Sequence, residues 1–96
     1  MTIIKSTIAT VQQGVARADG KLVLTGDEVR FTPFNQQLGL GPYVFKPEQI
    51  STVTRCLGKG GGIIPITTDA IRVTLVDQQV YEFIVAEPDS WITALV

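Results

Sequence analysis

Histidine is absent from these 96 residues, and cysteine, tryptophan and methionine occur once each. Without imidazole the chain cannot build a Ser-His-Asp triad, a Cys-His dyad or a His-ligated metal centre from its own residues. The one thiol, Cys56, closes no disulfide within the chain, and its place is read as a small apolar core residue. An excess of charge of one sign is missing too: eight Lys/Arg against nine Asp/Glu leave a net −1. The broad basic footprint that nucleic acid draws on is therefore lacking, and no nucleic-acid partner is expected. No run approaches the ~20 apolar residues of a spanning helix, and the first residues show no continuous apolar stretch of a secretory leader. A cytoplasmic domain, at most peripheral to a membrane, is the expectation.

What is present is a β-rich vocabulary. Hydrophobic residues make up 45% of the chain and charged ones 18%, enough apolar matter for one folded core and too short a chain for two. Residues 1–96 are read as a single domain, with 1–8 a loosely attached N-terminal segment. Val, Ile and Thr recur throughout, and these β-branched residues favour a pleated surface over a helix. Turn residues punctuate the chain at the spacing of short antiparallel strands.

Within Met1 to Gln13, Ile3, Ile4, Ile8 and Val11 fall at helical spacing while Thr2, Thr7 and Thr10 weaken a helix, so the element type stays open. Gly14 to Ala18 reads as a strand turning at Asp19-Gly20, a dipeptide suited to a type I′ hairpin, with Lys21 to Thr25 returning. Gly26-Asp27 turns the chain into Glu28 to Phe34. A loop from Asn35 to Pro42 leads to a short strand Tyr43 to Phe45, which Pro47 ends. The next strand runs from Ile50 to about Leu57 with a bulge at Ser51-Thr52. Gly58 to Gly62 is predicted to lack regular structure, and Ile63 to Ile66 form an apolar run behind it. Ile71, Val73 and Leu75 alternate with polar residues and pair, across Asp77-Gln78, with Tyr81, Phe83 and Val85. Pro88, Asp89, Trp91, Ile92 and Leu95 then describe a short amphipathic helix. About seven strands and one helix predict a mainly β small barrel with the helix plugging an open end.

These residues resemble the GRAM domain of the pleckstrin-homology-like superfold. The likeness rests on Gly20-Lys21-Leu22-Val23-Leu24-Thr25 followed by Val29 and Phe31, then Ile50 and Val53, then Ile71-Arg72-Val73 with Tyr81-Glu82-Phe83, and Trp91 in the closing helix. It spans roughly residues 9 to 95. It implies a non-enzymatic scaffold that binds membrane lipids or proteins. Lipid binding in the superfold relies on basic residues near the first hairpin, and here Arg17 and Lys21, with Lys59 of the glycine loop, are the candidate phosphate ligands.

Leu38, Leu40 and Tyr43 beside the short fourth strand, together with Ile63 and Ile64, form the candidate interaction surface. An apolar strand edge invites pairing with another chain. Protein–protein contact or self-association is the first functional reading, peripheral lipid binding the alternative. The carboxylates Asp27, Glu28, Asp69, Asp77, Glu82, Glu87 and Asp89 fall at turns, strands or a helix start, leaving a small-molecule enzyme as a remote alternative. No cofactor and no metal are called for. The loop Gly58-Lys59-Gly60-Gly61-Gly62 lacks the Ser or Thr and the following helix of a nucleotide-binding P-loop.

Overall fold

Seven antiparallel strands precede a closing helix: β1 (Ile3–Gln13), β2 (Ala16–Thr25), β3 (Val29–Pro33), β4 (Tyr43–Phe45), β5 (Ile50–Lys59), β6 (Pro65–Leu75), β7 (Val80–Val85) and α1 (Pro88–Leu95). The computed structural model describes residues 3–14, 16–35, 37, 39–59 and 65–95, with the backbone alone for Lys59 and residues 65–68. The strands form one sheet in the order β4-β3-β2-β1-β7-β6-β5. That sheet folds over on itself. The rings of Tyr43 and Phe45 on β4 lie 5.0 and 5.1 Å from the ring of Tyr81 on β7, although three strands separate β4 from β7 in the sheet. The result is the expected mainly β half-barrel with a short C-terminal helix.

Alternation along each strand decides which side chains meet inside the curl. Val11, Leu22, Val29, Phe31, Ile71, Val73 and Phe83 are fully buried, and α1 adds Trp91 and Leu95. Each such side chain contributes about 1.5–3 kcal/mol by leaving water. An eight-residue helix has little stability of its own, so α1 depends on this docking. Lys5 helps to seat it, with Nζ 5.4 Å from the centroid of the Trp91 ring.

The N-terminal third departs from the sequence expectation. The segment expected to be loosely attached is, from Ile3 onward, part of an eleven-residue strand paired with β2 from Ile3↔Thr25 to Gln13↔Ala16, with a register shift between Ile3 and Lys5. Ala16–Thr25 is one strand running straight through Asp19-Gly20, and the reversal lies instead at Gly14, whose φ is +58°. Two contacts hold Asp19-Gly20 extended. Thr10 Oγ1 donates to Asp19 Oδ1 at 2.6 Å across the strand pair. Gly20 leaves room for its neighbours on β3, since a Cβ there would lie 2.4 Å from the Thr32 carbonyl oxygen and 2.7 Å from Phe31 Cζ.

Other boundaries shift less. Gly58 and Lys59 belong to β5 and not to an irregular glycine loop, and β6 starts at Pro65, well before Ile71. Pairing of Gly58 with Thr67 and of Lys59 with Pro65 carries the hairpin further than alternation alone revealed. The bulge between Ile50 and Thr52 is present. Cys56 is half-buried opposite Ala70 and not a fully buried core residue.

Candidate functional site

The expected phosphate cluster does not assemble as a hairpin tip. Arg17 and Lys21 lie four residues apart on the outer face of one straight strand, roughly 13 Å along it. Asp19 stands between them on that face, its carboxylate already accepting from Thr10. The physical reason is the missing turn: without a reversal at Asp19-Gly20 nothing brings the two cations together. The side chain of Lys59 lies outside the described residues.

Arg17 instead ends a polar row that crosses the sheet, paired in register Arg17↔Gln12↔Glu82↔Arg72↔Thr54. Glu82 sits at its centre. Arg72 Nε donates to Glu82 Oε2 at 2.7 Å, and Gln12 Nε2 donates to Glu82 Oε1 and to the Leu57 carbonyl, both at 2.9 Å. The hydrogen bond and charge of Glu82 push the Arg72 guanidinium further above its usual value. The bond to Leu57 also brings the far end of β5 beside the end of β1.

The interaction surface expected around β4 is turned inward. Leu40 and Phe45 are buried and Tyr43 is half-buried against Phe31 and Tyr81, because the curl of the sheet carries β4 over the core. Burial raises the Tyr81 phenol above its usual value, with Tyr43 and Asp77 nearby adding to the shift. Leu38, Ile63 and Ile64 lie outside the described residues. Among the described residues the aliphatic side chains that face water are spread more widely: Ile3, Ile4 and Ile8 (69% exposed) on β1, Val44 on β4, Leu57 on β5, and Val76 and Val80 at the β6–β7 turn. In register, Ile8 lies beside Lys21, and Ser6 opens a row through Val23 and Arg30 to Val44.

Sequence reasoning missed this β1 face, although its signal was there. Ile4, Ser6, Ile8 and Thr10 alternate with period two, a pattern hidden beneath the overlapping helical spacing of Ile4, Ile8 and Val11.

Among the described residues Arg17 and Lys21 share no cation site at one end of the barrel. Pairing of the start of β7 with the end of β1 puts the β6–β7 turn at the end where β1 meets β2 and β3 leads to β4. Those three connections, residues 14–15, 34–42 and 76–79, contain neither Lys nor Arg. Among the described residues no group of His, Cys, Asp and Glu could hold a metal ion, and no helix is long and apolar enough to cross a membrane.

A seven-stranded antiparallel half-barrel ending in a helix that packs into its core is the pleckstrin-homology-like fold, and solved structures agree. The C-terminal domain of an unknown protein from Leishmania infantum matches with a TM-score of 0.76 at 17% identity, over 98% of this chain and 80% of that one. The Slm1-PH domain in complex with phosphoserine matches at 0.69 and 18% identity, over 97% and 91%. The DH/PH domain of human ARHGEF11, in a ternary complex with human RhoA and its inhibitor, matches at 0.70 and 14% identity, over 98% of this chain and 28% of that one. Likeness at such identities concerns the fold. No family model matches the sequence, and no curated protein does.

Proposed function

We propose that the chain is a non-catalytic binding and assembly module that acts through protein–protein contact. The outer face of β1 carries this reading. Ile3, Ile4 and Ile8 stand exposed along β1, and the row that Ser6 opens reaches Val23 and is closed by the exposed Arg30, so the apolar surface stops short of Val44. Scattered exposed aliphatics are ordinary, whereas a row on one sheet face marks a contact surface. Within the superfold we adopt the GRAM type as the finer assignment, on the Gly20 to Phe31 hairpin and the Tyr81-Glu82-Phe83 strand. The reading assigns the chain no reaction: Glu28, Glu82 and Asp89 are engaged by Arg30, Arg72 and Arg55. It places the domain in the cytoplasm.

A photo-crosslinking amino acid in place of Ser6 tests it in cells. Adducts to protein, whether a partner or a second copy, are expected; adducts to lipid alone, or none, overturn the reading.

Peripheral binding to a phospholipid headgroup is the second reading. Lys21 lies beside Ile8 on the outer face, a cation next to an exposed aliphatic, and the Slm1-PH structure holds phosphoserine. Cosedimentation with anionic vesicles that weakens in Lys21→Ala and with added salt supports this reading, and equal, negligible binding by both proteins removes it.

A further inference from the structure

The two edges of the sheet differ in a way that points to one partner. β4 has three residues and lies between Pro42 and Pro47, two common devices by which proteins blunt an edge. β5 runs from Ile50 to Lys59 and contains no proline, no acidic residue and no lysine before its last position. Among the described residues β6 is its only strand neighbour, so the other side presents main-chain donors and acceptors from Ile50 up to Leu57, whose carbonyl accepts from Gln12. Ser51, Thr52, Thr54 and Arg55 are exposed. Water can solvate such an edge, and another extended strand completes it with a ladder along its length.

We propose that β5 pairs with β5 of a second copy of the chain, antiparallel, about a twofold axis at Val53. The inference deepens the assembly reading above and uses a different surface from the β1 face. Its support is the self-complementarity of the strand in that register. Val53 meets its own equivalent on the inner face, Thr52 meets Thr54 on the outer face, and Ser51 meets Arg55. β-branched and Thr–Thr pairs are favourable cross-strand neighbours, and no like charges fall opposite each other. Arg55 is already directed to α1, where it pairs with Asp89 at 2.9 Å, so it does not meet its own equivalent across the seam. An antiparallel pair with identical strands is the isologous contact that closes at two copies and does not propagate.

Sedimentation velocity over roughly 10–500 µM, the range suited to an interface of a few hydrogen bonds, tests the proposal with substitutions at exposed sites. The wild type is expected to form a dimer. T52E/T54E puts two carboxylates opposite each other twice, and should weaken the dimer about tenfold or more. T52K/T54E puts Lys opposite Glu in the same register and should restore it. Val44→Glu, on the other edge, should leave the dimer unchanged, and circular dichroism confirms that every variant is folded. A T52E/T54E dimer as strong as wild type overturns the β5 seam while leaving assembly intact. Loss of the dimer in both double variants overturns the Val53 register, and its loss in Val44→Glu assigns the seam to β4. A wild type that is monomeric throughout overturns self-association itself, while protein adducts at Ser6 would still sustain the contact reading.

Discussion

β4 and β5 end the same sheet and are built differently. β4 is held by what lies beneath it: Phe45 is buried, and Tyr43 packs between Phe31 and Tyr81. Its three residues between two prolines leave little main chain to offer. β5 is held from the other side, by β6 and by α1, with Arg55 bridging to Asp89 and Asp69. Its side away from β6 is much the longer of the two sheet edges. One edge is closed by side chains and the other is left open in its backbone. An edge is judged by length, proline and burial together, and an apolar sequence at an edge can mean that the edge is already covered.

Trp91→Ala strikes the β5 side hardest. It removes a fully buried indole and the ring that Lys5 packs against, and should cost about 4 kcal/mol in chemical denaturation. Amide exchange should then quicken in β5 and β6 before β4. Equal loosening of both edges would break the comparison and make the half-barrel one cooperative unit.

Gly20→Ala strikes the β4 side. Its methyl would press on the Thr32 carbonyl and the Phe31 ring, and the loss should be about 2 kcal/mol, with exchange rising first in β3 and β4. An unchanged denaturation midpoint would show that the two strands can part without cost.

Gln78→Gly should stabilise the fold by about 1 kcal/mol, since Gln78 holds φ at 73° where an L side chain is strained. The turn it occupies abuts the start of β5 through the bond from Val76 N–H to the Gln49 carbonyl, 2.8 Å. A thermal midpoint that rises without a change in dimer strength would separate that turn from the seam. Arg55→Ala is the mildest change. Its pairs with Asp89 and Asp69 are exposed and worth less than about 1 kcal/mol, a difference that salt should shrink further. A larger loss would make the bridge to α1 a main support of β5.

Much of the fold was legible because alternation is local. The strand pairs around Phe31, Val73 and Phe83, the bulge after Ile50 and the helix carrying Trp91 stand where the pattern placed them. The expected number of strands matches for a compensating reason: the segment Ile3–Gln13 was left without a type, while β2 was split in two at Asp19-Gly20. That dipeptide favours a turn in isolation, and neighbours distant in sequence hold it extended, among them the Thr10 bond and the Phe31 ring, from residues 9 and 11 positions away. The site was less legible for the same reason. The pairing of Arg17 and Lys21 as phosphate ligands depended on the turn, and the exposure of Leu40 and Tyr43 depended on the short fourth strand standing as an open edge of the barrel. Burial of β4 follows from a curl that brings Tyr81 across the barrel, which no local pattern encodes.

Amide hydrogen exchange of residues 51–55, followed at ~10 and ~500 µM protein, reads the open edge directly. Exchange should slow with concentration at alternate residues of β5, those whose N–H groups point away from β6, while the amides of β4 stay constant. Rates in β5 that do not depend on concentration, or a slowing confined to β4, would contradict the account.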